Sequence, residues 1–251
     1  NGTVGQNTIT YVAWNWKAGN ETLGTGDFTQ GAIASTCSRN VDAGFSIVSY
    51  TGTGSASNVG HGLSSAPERI IVKNRDEADS WTVWHPDLTS IGYHINLDTY
   101  APQQSGTGVW DDQFPTSSRF YVKTDHKVNA NTEKYIAYCF HSVDGYSKVG
   151  TYTGNANADG TFVYTGFKPM WVIIKRATSN HDWDIYDSKR STFNDMDDRL
   201  RANDSTAEAD GGDIDFTSNG FKLRQTGNGN ASGDYIYLAF AETPFKYSNA
   251  R

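Results

Sequence analysis

The residues able to do covalent or metal chemistry are few and scattered. Six histidines, His61, His85, His94, His126, His141 and His181, form neither a His-x-His pair nor an HExxH motif, so no zinc site is spelled out. Cys37 and Cys139 stand 102 residues apart with no metal-ligand spacing. Two free, half-buried thiols are the favoured reading, and a single disulfide is the alternative. No serine sits in a GxSxG elbow and no GxxxxGK[ST] loop is present. Asp111-Asp112 after Trp110 has no second carboxylate placed for glycoside hydrolysis. Asp195-Met-Asp-Asp198 and Asp210-Gly-Gly-Asp-Ile-Asp215 carry carboxylates two positions apart, yet neither fits the twelve-residue calcium loop with its terminal Glu. Both read as solvated acidic loops. No catalytic residue, cofactor site or metal ligand is assigned, and the expectation is a protein that is not an enzyme.

Recognition is the chemistry that remains. Aromatic rings stack on sugar faces through apolar bodies with polar rims. Trp84, Trp110 and Tyr186 are the candidates for glycan contact, with packing or an interface as the competing reading. Trp81 and Trp183 hold one position in an internal repeat, which marks them as core.

That repeat organises the chain. Tyr50-Thr-Gly52 recurs as Tyr152-Thr-Gly154, Pro67-Glu-Arg-Ile-Ile-Val-Lys73 as Pro169-Met-Trp-Val-Ile-Ile-Lys175, and Trp81-Thr-Val-Trp84 as Trp183-Asp-Ile-Tyr186, all 102 residues apart. Tyr135-Ile-Ala-Tyr-Cys-Phe140 resembles Tyr235-Ile-Tyr-Leu-Ala-Phe240, and a third copy, Tyr11-Val-Ala-Trp-Asn-Trp16, stands near the start. Three blocks in one register mark a duplication. The apolar residues run with period two, both faces are partly apolar, and Gly/Asn/Asp turns separate the runs, as at Ala158-Asp-Gly160 and Ser218-Asn-Gly220. Ile70-Ile-Val72 and Val172-Ile-Ile174 are short continuous apolar runs, the mark of central strands. The fold expected is all-β: two tandem antiparallel β-sandwich, jelly-roll-like modules, at 19–144 and 145–251. Two halves of one larger jelly roll stay open as the alternative. Residues 1–18 read as an N-terminal strand or as the closing strand of a preceding module. That strand would complete the first module's sheet, join a missing module, or add to a neighbouring subunit's sheet.

Composition agrees with strands. Aromatics make up 13% of the chain, with 25 Gly and only 2 Met. The net charge of −7 argues against a nucleic-acid partner, since phosphate binding needs clustered Lys and Arg. No apolar run approaches the ~20 residues of a membrane helix. Asn1-Gly2-Thr3 reads as the middle of a longer protein.

The blocks also resemble a family. Tyr135-Ile-Ala-Tyr-Cys-Phe-His-Ser-Val-Asp-Gly-Tyr-Ser-Lys-Val-Gly150, Gly166-Phe-Lys-Pro169, Asn219-Gly-Phe-Lys-Leu-Arg224 and Tyr235-Ile-Tyr-Leu-Ala-Phe-Ala-Glu-Thr-Pro-Phe245 are similar to tail-fibre-type structural proteins of marine bacteriophages, including those of cyanobacteria. The likeness covers roughly residues 40 to 247 and carries over no catalytic or binding residue. It implies a non-enzymatic module of an extracellular fibre on a virion, associating as a homo-oligomer or with fibre neighbours. A glycan-binding adhesin module that meets a host-surface glycan is the alternative.

Overall fold

The computed structural model describes residues 7–19, 22–211 and 214–242. Asn1-Gly2-Thr3 and the final Thr243-Pro-Phe245 of the family-like segment lie outside them. The chain is all-β and antiparallel, as its composition predicts. In chain order the first ten strands are β1 (Thr22–Leu23), β2 (Ser35–Asn40), β3 (Phe45–Thr51), β4 (Ser57–Gly60), β5 (Arg69–Asn74), β6 (Thr82–Trp84), β7 (Tyr93–Asn96), β8 (Gln104–Ser105), β9 (Arg119–Val122) and β10 (Lys134–Phe140). The other eight are β11 (Ser147–Gly154), β12 (Phe162–Tyr164), β13 (Pro169–Arg176), β14 (Trp183–Asp187), β15 (Leu200–Arg201), β16 (Ile214–Thr217), β17 (Gly220–Leu223) and β18 (Gly233–Ala241).

The first unit is an eight-stranded sheet, β1-β2-β3-β10-β5-β6-β7-β8, facing the small sheet β4-β9. The second is a five-stranded sheet, β11-β18-β13-β14-β15, facing β12-β17-β16. The repeat maps strand onto strand. Tyr50 pairs with Tyr135 and Tyr152 with Tyr235, and the rings stack in both units, at 5.2 Å and 4.9 Å. The runs Ile70-Ile-Val72 and Val172-Ile-Ile174 lie in β5 and β13, each flanked by strands on both sides. In each unit the long strand after the turn pairs with the last strand and the next with the penultimate, as in a jelly roll. β14 and β15 stay on the larger sheet instead of crossing to the smaller one.

Both faces of the large sheets are apolar because both are covered. In β10, Tyr135, Ala137 and Cys139 point into the first unit's own core, while Tyr138 and Phe140 point the other way. In β18, Tyr235, Tyr237 and Ala239 face the second unit's core, and Ile236, Leu238 and Phe240 face away. The two outward faces meet. Phe45, Val83, Ile95 and Phe140 of the first unit form one buried cluster with Trp171, Ile173, Ile185 and Leu238 of the second. The molecule is thus four layers deep, small sheet, large sheet, large sheet, small sheet, with a shared seam in the middle.

Two expectations are corrected here. Trp81 and Trp183 both face the seam and not their units' own cores. Trp183 is fully buried, with its indole Nε1 donating to the Asn96 carbonyl across the seam at 2.8 Å. Trp81 is half-buried and stacks on Tyr138. The N-terminal segment does not complete the first unit's sheet: residues 9–19 join no strand of their own chain. The central slots that their look-alikes fill are already taken by β10 and β18. Instead Trp14 and Trp16 lean on Trp171 at 6.3 Å and 5.2 Å, and Trp14 Nε1 donates to Asp187 at 3.1 Å.

A short connection joins the units. Gly145 turns it with φ +72. Ser142 is tied to both sides: its amide and hydroxyl donate to Glu68, and its hydroxyl accepts from the Val149 amide at 3.0 Å.

Candidate functional site

The three rings proposed for sugar contact are all interior. Trp84 and Trp110 are 2% exposed and Tyr186 is 1% exposed. Trp84 and Tyr186 are repeat equivalents, and each packs in its own unit's core. The physical reason is strand parity. Val83 and Ile185 face the seam, so the next residue on each strand points inward. A ring walled on both faces cannot stack on a glycan, so these assignments are withdrawn.

Several titratable groups are buried in the packing. His61 bridges the Thr116 carbonyl and the Leu63 amide, and burial pushes its pKa down to about 4. Burial, with Arg69 nearby, pushes His85 down to about 3. Cys37 and Cys139 are free and buried, and burial raises both thiols. Among the described residues no three His, Cys, Asp or Glu side chains gather as metal ligands. Asp197 and Asp198 both receive the Ser191 hydroxyl, so the first acidic loop is braced by a turn. Residues 212–213 of the second acidic stretch lie outside the described residues.

One exposed apolar feature is β12, the edge of the second unit's small sheet. Its pattern alternates: Val163 points into the core, while Phe162 and Tyr164 are 45% and 66% exposed. The backbone alternates too. Leu223 N donates to Thr161 O and Thr165 N to Asn219 O, so the odd residues bond β17. By the same alternation, the N–H and C=O groups of Phe162 and Tyr164 point off the sheet. Tyr164 also walls a polar cleft of about 340 Å³ at the connection, with Ser142, Asp144, Lys148 and Thr165.

The first unit's equivalent edge is closed. Val59 pairs with Phe120 as Val163 pairs with Phe221, which makes Asn58 and Gly60 the counterparts of Phe162 and Tyr164. There the Asn58 carbonyl accepts from Ala32 N at 3.1 Å and Ile33 N at 3.0 Å, and Gly31 and Ile33 bridge to Val59. A Cβ on Gly60 would lie 2.3 Å from the Gln30 carbonyl, so the capping segment presses directly on the strand. Comparing the two copies position by position reveals this difference: aromatic residues appear in one copy where Asn and Gly stand in the other.

A model for a domain of unknown function, DUF7483, matches residues 1–244. The chain belongs to the DUF7483 family. The DUF7483 match spans both units and the segment before them, so one family domain contains the whole four-layer arrangement. No curated protein matches the chain, and no solved structure matches it.

Proposed function

We propose that this DUF7483 chain is a non-enzymatic structural module of an extracellular fibre, of the tail-fibre type that its sequence blocks resemble, carried on a virion. The observation that supports this most is the seam. Two duplicated sandwiches share one aromatic-rich core, with Trp183 bonded across it and Ser142 bracing the connection. Stacked units with a common core resist bending and separation, which is what a load-bearing appendage needs. Chemistry-bearing residues are spent on packing: His61, His85 and both cysteines are enclosed. Host-surface glycan binding is the second reading. It now rests on Tyr164, an exposed ring at the mouth of the polar cleft. The test is gold-labelled antibody against the chain on intact particles. Label along appendages supports the fibre reading. Label confined to the soluble fraction, with bare appendages, overturns it.

A further inference from the structure

We infer that the open edge of β12 receives an extended apolar segment, residues 8–13, from a second copy of this chain. The inference rests on the fibre reading and names the contact that would join its subunits.

Three observations carry it. First, the fold closes this edge with an extended segment where it has one to hand. In the first unit, residues 30–33 lie along β4 and take the Asn58 carbonyl with two amides. The second unit has only the short connection, His141–Tyr146, between β10 and β11, so among the described residues no equivalent segment precedes β11. Among the described residues, the outward carbonyl of Phe162 meets no such donor. Second, the strand facing outward is apolar. Phe162 and Tyr164 replace Asn58 and Gly60, and an exposed edge with aromatic side chains templates further pairing. Third, the chain carries a matching donor. Ile9 and Val12 are 54% and 37% exposed on a segment that belongs to no sheet, just before Trp14 and Trp16 anchor it at the seam. Its sequence, Thr8-Ile-Thr-Tyr-Val-Ala13, is rich in residues favoured in strands.

Donor and acceptor are different surfaces of one chain. Such a heterologous contact propagates as an open filament, or closes into a ring if the rotation allows. Backbone hydrogen bonds supply the pairing, and the apolar side chains on alternate positions supply the fit.

The test is complementation between two variants of the 251-residue chain, followed by analytical ultracentrifugation. One lacks residues 1–13 and keeps the acceptor edge. The other carries Phe162→Pro, which removes the outward amide, and keeps the donor segment. Proline is tolerated on the solvent side of an edge strand, and near-ultraviolet circular dichroism checks that each variant keeps native packing. The expected result is that the parent chain self-associates with concentration, each variant alone stays monomeric, and their mixture forms a 1:1 pair. A monomeric parent chain overturns the inference, as does self-association undiminished in either variant, or a mixture that does not pair. A chain that stays monomeric yet is labelled on appendages would sink this contact while leaving the fibre reading standing.

Discussion

Asn129 and Asn230 perform the same task in the two units. Asn129 accepts from the Thr53 amide at 2.8 Å and donates to the Ser55 and Lys123 carbonyls at 2.7 Å and 2.6 Å. Asn230 accepts from the Asn155 amide at 3.2 Å and donates to the Asn157 and Gln225 carbonyls at 2.7 Å and 2.6 Å. Both side chains are interior. Each ties the turn after the first long strand to the loop before the last one, so the duplication preserved a polar clasp together with the apolar core. Replacing either with Ala removes three hydrogen bonds to loop backbone, each worth about 0.5–1.5 kcal/mol. Asn129→Ala and Asn230→Ala should therefore each destabilise by at least about 2 kcal/mol. Urea unfolding measures this; a change below about 0.5 kcal/mol in both would show that the clasp does not matter.

The neighbouring turn offers a stabilising change. Gly54 has φ +68, and its counterpart Ala156 has φ +52. The left-handed region strains any residue with a Cβ by roughly 1–2 kcal/mol, against a smaller entropic cost of glycine in the unfolded chain. Ala156→Gly should raise stability by about 0.5–1 kcal/mol. A lowered melting temperature would contradict the equivalence of the two turns.

Arg69 is a charge enclosed in the seam. It is 1% exposed, its guanidinium lies over the Trp183 ring at 5.0 Å, and among the described residues none of its nitrogens meets a hydrogen-bond acceptor. Burial draws its pKa down to about 9, which still leaves it charged at neutral pH. Apolar replacement of buried charge is often neutral or stabilising by about 1–4 kcal/mol. Arg69→Met is expected to be at least as stable as the parent chain at pH 7. A loss above about 2 kcal/mol would mean the cation holds the seam together.

Acid should weaken the first unit. His61 and His85 sit at about 4 and about 3, below the ordinary 6.5. The unfolded chain therefore binds protons that the native chain refuses as pH falls from 6.5 through those values. Stability is full above pH 6.5 and declines below it. Each histidine accounts for on the order of 3 kcal/mol by pH 4. Denaturation curves at pH 7, 5.5 and 4 should show the decline, and His61→Gln should shallow it. A flat profile would mean the imidazoles are solvated.

Much of the fold is legible in the sequence. The 102-residue offset locates equivalent strands, and the continuous runs at Ile70 and Val172 locate central ones. What the sequence leaves open is parity. When both faces of a strand are apolar, alternation separates two sets of side chains without saying which set meets which partner. Trp81 and Trp183 read as unit-core residues and lie at the seam; Trp84 and Tyr186, candidates for glycan contact with packing as the competing reading, lie in the cores. The Tyr11–Trp16 segment has the composition of a strand, but the central positions that its look-alikes take are filled by β10 and β18, a fact about the sheets and not about the segment. The open β12 edge is not legible in the sequence because it is defined by what covers its counterpart, residues 30–33, far away in sequence.

The most direct test of the four-layer arrangement is differential scanning calorimetry of the intact chain. A shared core couples the units, so the account predicts a single transition whose calorimetric and van't Hoff enthalpies agree. Trp183→Ala, cut from the middle of the seam, should lower that one transition as a whole. Two separable transitions, with Trp183→Ala shifting only one of them, would mean the sandwiches are independent beads and would contradict the central claim.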